Sequence, residues 1–256
     1  MSFIDDIVSI GKSVGGFLTG NSLGSQLAKT ALLGLALNQV NKSVNKNNDV
    51  PRTPTISETR EQYIPNTENS VPVVYGDAFV RGIITDAYQQ DRKYMWYCIT
   101  VCEVTGKTNL GTGADSVISF KDIYINKGRC TFASDGITVT QTQDDDGEIN
   151  TAVNGLIKIY CFNNGSSSPV VPVGYSNGGL IAAYGLMPNW TSLHTMDKLA
   201  FALVRVEYNK EKSVTSLGEI EFKMNNTMFE PGDCVYDYMT NTRYGAGIPE
   251  SEIYLQ

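Results

Sequence analysis

Near Val71 the apolar positions of this chain change their spacing from steps of three and four to steps of two, and the change separates two kinds of structure. Upstream, Leu23, Leu27, Ala31 and Leu35, then Leu33, Leu37, Val40 and Val44, predict an amphipathic helix from about Ser22 to Asn45. Two readings of its apolar face stand: a face packed on its own domain, or one that docks on copies of itself or on a partner. Asp5 to Leu18 predicts a shorter helix broken by Gly15 and Gly16, so residues 1–47 read as a helical arm. Asn45 to Ser70 is polar, holds three prolines and lacks periodicity, which makes residues 48–70 a linker or extended arm.

Downstream of Val71, runs such as "YMWYCITVCEVTG", "VISFKDIYINKG", "GLIKIYCFNNG", "KLAFALVRVEYN" and "SLGEIEFKMNN" are rich in β-branched and aromatic residues and are bounded by Gly, Asn or Asp. This spacing predicts antiparallel sheets arranged as a sandwich or barrel over residues 71–230. Asn163 to Gly179 is the loosest part and reads as an exposed loop or insertion. Val235, Tyr238 and Met239 then follow helical spacing, and Asn241, Thr242, Gly245 and Gly247 break it, predicting a short helix that runs into a tight turn within residues 231–256. The expected class is mainly β (α+β), with a helical arm at one end and a short helix near the other.

Composition supports a globular β-rich body, since only 18% of residues are charged and 41% are apolar. Its 256 residues can form one large domain or two smaller ones. The net charge of −7 argues against a broad surface that binds DNA by neutralising phosphates. Cys98, Cys102, Cys130, Cys161 and Cys234 are odd in number, scattered and free of CxxC pairs, which suggests neither a disulfide framework nor a zinc site and suits a reducing cytosol. Asp5 and Asp6 stand where a secretory leader would be positive, and the longest apolar run, Ala31 to Leu37, is far shorter than the ~20 residues a membrane span needs. An integral membrane protein is not expected.

Candidate chemistry is sparse. "TQDDDGEIN" places Asp144, Asp146, Gly147 and Ile149 at calcium-loop positions, but Thr142 and Val153 stand where acids belong, so an acidic hairpin tip is expected. His194 is the only histidine, with Ser192 and Asp197 nearby in sequence and no G-x-S-x-G elbow, and reads as a loop residue. Cys98 and Cys102 are expected as core thiols on one face of a strand. "GTGAD" at Gly111 to Asp115 lacks the glycine spacing and following helix of a phosphate loop. The sequons at Asn189 and Asn226 matter only in a secreted eukaryotic protein. No catalytic, cofactor-binding or metal-binding constellation emerges.

Two motifs together carry a resemblance. "EQYIPNTENSVPVVYGDAFVRGIITDA", with Pro72, Val73, Val74, Tyr75 and Gly76, then Val80, Arg81 and Gly82, resembles the segment by which bacteriophage tail tip attachment and baseplate hub proteins pass from a polar arm into a strand pair. "EPGDCVYDYMTNTRYGAGIP" resembles that family's second hallmark, with Pro231, Tyr236, Asp237, Thr240, Asn241, Arg243, Tyr244, Gly245, Gly247, Ile248 and Pro249 in register. The likeness runs from Glu61 to Ile253 and is weakest over Asn109 to Met196, which reads as a variable insertion of about 109–196.

What the resemblance implies is a virion structural protein built on hub domains, closing the distal end of the tail tube, usually as a homotrimer assembled in the bacterial host cytoplasm. The implied partners are the distal tail ring protein, the tape measure protein and tail fibre or receptor-binding chains, with roles in host attachment and genome ejection and without sequence-specific nucleic-acid binding. Family members run on past the RYG segment, so the host-contacting part is expected to be absent, disordered or supplied by another chain. Two other readings remain open: a tail-associated cell-wall hydrolase using His194 and Asp197, and a host-surface binding module using the loops around Tyr175 and Tyr184.

Overall fold

The computed structural model describes residues 70–176 and 179–253. The chain divides into two compact units, Met1–Glu61 and Gln62–Gln256. The first unit lies wholly outside the described residues, and with it the expected helical arm and almost all of the linker.

Over its described residues the second unit is mainly β, with two antiparallel sheets and one α-helix near the C-terminus, as the strand-like spacing predicts. The five-stranded sheet has the order β2 (Ile83–Gln90), β3 (Tyr94–Glu103), β10 (Leu199–Glu207), β8 (Ile157–Phe162), β9 (Pro169–Val170). The six-stranded sheet runs β1 (Asp77–Val80), β11 (Ile220–Asn226), β4 (Ile118–Ile125), β5 (Gly128–Phe132), β6 (Val139–Gln143), β7 (Ile149–Asn150). The helix α1 spans Pro231–Thr240. None of the described helices is long and apolar enough to cross a membrane.

The two sheets differ in pattern because they differ in how many faces are covered. In β5 and β11 buried and accessible residues alternate strictly, as a sheet with one solvated face requires. That solvated face carries ion pairs such as Lys121–Asp77 and Arg129–Asp122, whose exposure to water leaves them little weight in stability. In β3 and β10 the central residues are buried on both faces. Ile99, Val101, Ala202, Val204 and Ile159 join Phe120, Ile123, Phe222 and Met224 of the other sheet in one apolar cluster. On the opposite face Trp96, Cys98, Phe162, Phe201 and Leu203 pack with Ala183, Met187 and Trp190. Phe162 and Phe201 stack at 4.7 Å between ring centres, and Trp190 Nε1 donates to Asp86 Oδ2 at 2.8 Å, which fastens the covering loop to the edge strand.

Two sequence expectations change here. Cys98 and Cys102 do not share a face: a register shift between Ala200 and Phe201 opposite Thr100 and Cys102 breaks the alternation, so Cys98 faces the covering loop and Cys102 the core between the sheets. Asn163 to Gly179 is a loop over its described residues apart from the two of β9, as expected, but it is packed rather than freely exposed. β9 pairs with β8, Val173 N donates to Phe120 O at 2.8 Å, and the Tyr175 ring packs edge-on against Phe132 at 5.4 Å. Residues 109–196 supply β4 to β9, with β4 paired to β11 and β8 to β10.

Burial sets the chemistry of the thiols. It pushes Cys98, Cys102 and Cys130 up to about 12 and Cys161 higher still, so almost no thiolate exists near neutral pH. In the native protein a thiol-specific alkylating reagent is expected to modify Cys234, the one cysteine that is not fully buried, well before the other four. Peptide mapping of a short labelling reaction checks this, and early labelling of Cys161 would contradict the packing.

Candidate functional site

The approach to β1 is a clip between the sheets. Glu103 N donates to Pro72 O at 2.9 Å, Val73 forms a parallel bridge with Glu103, and Val74 is buried in the shared core. Gly76 turns the chain at φ +62 and is tied twice, by its own N–H to Met228 O at 2.9 Å and by Asn226 N to its carbonyl at 2.8 Å. Asn226, fully buried, completes the clip: its Nδ2 donates to Val74 O at 2.7 Å and its Oδ1 accepts from Met228 N at 2.9 Å.

The helix α1 starts at Pro231, whose fixed φ and missing N–H suit the first helical position, and Asp233 in its first turn complements the helix dipole while accepting from Leu110 N at 3.2 Å. Its end is capped by the adjoining turn. Asn241 N donates to Asp237 O at 2.9 Å, Ala246 N to Tyr238 O at 2.9 Å and Ile248 N to Met239 O at 2.8 Å, so carbonyls that a helix end leaves open are taken up. Gly245 N and Gly247 N donate to Asn241 O at 3.2 and 3.1 Å, and Asn241 Oδ1 accepts from Arg243 N at 2.9 Å. Segment 241–253 therefore folds back on α1. Pro249 then leads a single 3-10 turn, Glu250–Glu252.

This fold-back brings the two motifs together. Tyr75 and Tyr244 each donate a hydroxyl to Asp237 Oδ2 at 2.6 Å, and Asp237 is fully buried, with no hydrogen-bond partner for its Oδ1 among the described residues. Burial, and then the bond to Asp237, raises both phenols far above their ordinary value, so they remain protonated donors at any physiological pH. Around this centre Arg243 Nη2 lies 3.0 Å from Glu103 Oε2, an ion pair whose geometry falls short of a hydrogen bond, and Arg243 Nη1 donates to Asp197 O at 3.2 Å. Burial pushes the Glu103 carboxyl up and Arg243 partly offsets it. Lys107 Nζ donates to Thr240 Oγ1, bonds Glu250 Oε1 at 3.2 Å and sits 5.3 Å from the centre of the Tyr236 ring.

Pro72 to Gly76, Tyr236, Asp237, Asn241, Arg243, Tyr244, Gly245, Gly247 and Pro249 thus belong to one junction. Arg81 and Gly82 stand apart at the β1–β2 turn. There Arg81 faces Glu219 and Glu221 at 2.9 and 2.8 Å, and Gly82, at φ +70, has Ile99 Cγ2 2.7 Å from where a Cβ would lie. Across the junction, hydroxyls, amides and carboxylates hold backbone segments in place.

Glu103 and Lys107 carry no signal in the sequence, and Asn226 stands out there only as a sequon. For its burial a signal existed, since it continues the inward positions Ile220, Phe222 and Met224, where a polar residue must have buried partners.

The remaining sites resolve locally. His194 is exposed, accepts from Thr191 N through Nδ1 at 3.0 Å and stacks on Trp190 at 5.3 Å; among the described residues neither Ser192 nor Asp197 bonds to its ring. The acidic tract turns between β6 and β7, with Asp144 N donating to Glu148 O at 3.1 Å and Glu148 N to Asp144 Oδ1 at 2.8 Å. Gly111 to Asp115 forms a tight turn in which Gly113 N donates to Asn109 O at 2.8 Å. No family model matches the chain, and no curated protein matches it.

Proposed function

We propose that the chain is a structural subunit of a bacteriophage tail, a hub or tip protein that closes the distal end of the tail tube and connects it to host-recognition parts. One observation carries the reading. Tyr75 and Asp237, 162 positions apart, belong to the two motifs that resemble the hub family, and they meet in a hydrogen bond on the fully buried Asp237 carboxylate. Two unrelated sequence coincidences have no reason to share one buried carboxylate, whereas two marks of one architecture do. The two antiparallel sheets with a common core suit a sandwich-type hub domain.

On this reading the subunit works by packing rather than by chemistry. It forms a ring, usually a trimer in the family it resembles, that meets the distal tail ring, the tape measure protein and the fibre or receptor-binding chains. Its acidic character keeps DNA from adhering as the genome passes. Mass spectrometry of purified virions tests the proposal. The chain is expected among the particle proteins, at a copy number far below that of the tube subunit, and its absence from intact particles would overturn the reading.

A further inference from the structure

At the edge of the part covered by Ala183, Met187 and Trp190, the same face of the five-stranded sheet carries a rung that crosses four strands in register: Tyr88, the buried Trp96, Arg205 and Lys158. Trp96 is fixed by a hydrogen bond from its Nε1 to Gln90 Oε1 at 2.9 Å and by stacking on Tyr160 at 6.0 Å. Arg205 lies over this aromatic floor, its guanidinium carbon 4.7 Å from the Tyr94 ring centre and 5.9 Å from that of Trp96. Such stacking fixes a guanidinium in orientation but gives its N–H groups no acceptor.

The carboxylates around it are already engaged. Glu207, two residues on and on the same face, pairs with Lys93 at 3.0 Å, and Asp135, near Lys158, accepts from Ile137 N, Thr138 N and Thr138 Oγ1 in its own turn. Arg81, Arg129 and Arg243 each face a carboxylate, yet among the described residues Arg205 and Lys158 make no ion pair, and Arg205 Nε is buried without an acceptor. A half-buried guanidinium, preoriented and without an anion among the described residues of a chain of net charge −7, has the geometry that suits a carboxylate.

The chain itself carries the matching group. Asp144, Asp145, Asp146 and Glu148 form an exposed tip between β6 and β7 on the other sheet, and none of them is in an ion pair among the described residues. We infer that the Arg205–Lys158 rung receives the 144–148 tip of a second copy of this chain. The surfaces differ, so the contact is heterologous and repeats head to tail, as a ring requires. The inference rests on charge and geometry and not on the tail reading, so either can fail alone.

The test is light scattering and sedimentation of the full chain over a range of concentration and salt. Self-association is expected, weakening about tenfold or more when salt rises from roughly 0.05 to 0.5 M. Asp145→Asn with Asp146→Asn, on an exposed tip where folding is not at risk, should weaken it as strongly as Arg205→Gln. Arg205→Glu combined with Asp145→Arg and Asp146→Arg should restore it; if that variant does not fold, Lys158→Glu replaces Arg205→Glu in the pairing. A chain that stays monomeric throughout, an association indifferent to the tip variant, or failure of the reversed pair to recover it overturns the contact. A monomeric chain that binds a polyglutamate peptide through Arg205 would also overturn it, by assigning the rung to another acidic partner.

Discussion

Asp237→Ala is expected to lower the stability of the β unit by about 2–4 kcal/mol, because it removes the shared acceptor of two hydroxyls, each costing ~1–3 kcal/mol when left unpaired on burial. The single changes Tyr75→Phe and Tyr244→Phe should each cost about 1 kcal/mol, since the carboxylate keeps its other donor. The double change should cost more than their sum, because Asp237 Oδ1 already lacks a partner and the fully buried carboxylate would then have none. Urea unfolding of the four variants gives these values directly. A cost for Asp237→Ala within ~0.5 kcal/mol of zero, the range of ordinary surface changes, would show that the junction does not hold the unit together.

Gly245→Ala is expected to cost about 3 kcal/mol, although Gly245 lacks the positive φ that usually explains a glycine. The reason is proximity. A Cβ at 245 would lie 1.9 Å from Tyr238 O and 2.9 Å from Asn241 O, both backbone atoms that already accept bonds in the fold-back. Relief therefore requires moving segment 241–253 off the helix end, which also draws Tyr244 away from Asp237. Gly232→Ala, inside α1 with nothing within 4 Å of its Cβ, should instead stabilise by roughly 0.4–1 kcal/mol. Thermal unfolding of the pair separates the effects by sign.

Strand existence was legible in the sequence because β-branched and aromatic runs bounded by turn residues report the local pleat directly, as in "GEIEFKMNN" for β11. The short helix and its stop were legible for the same local reason. Burial of β3 and β10 on both faces was visible only as long apolar runs, since the covering residues, Ala183, Met187 and Trp190, come from a stretch whose Gly, Asn and Ser content looks like loop. The bulge that sends Cys98 and Cys102 to opposite faces leaves no mark in a period-two count, because one extra residue inverts parity downstream of it. Both motifs were found by likeness, but the reason for their coexistence was not, since a hydrogen bond from Tyr75 to Asp237 is a fact of tertiary structure. Arg243 could be read as part of a motif, while its partner Glu103 looked like the end of a strand.

The clip and the fold-back belong to one mechanical design. Asn226 and Gly76 fasten the incoming chain to β11, and Tyr75 and Tyr244 fasten the outgoing chain to α1. The two segments meet at the fully buried Asp237 carboxylate, where hydrogen bonds are stronger than in water.

Electron cryo-microscopy of intact particles in which this chain carries a small tag tests the hub proposal most directly. Density for the two-sheet unit is expected, repeated around the axis, as a ring at the distal end of the tail beyond the last tube ring. Tag density at the head or portal, or none on the particle, would contradict a place at the tail tip.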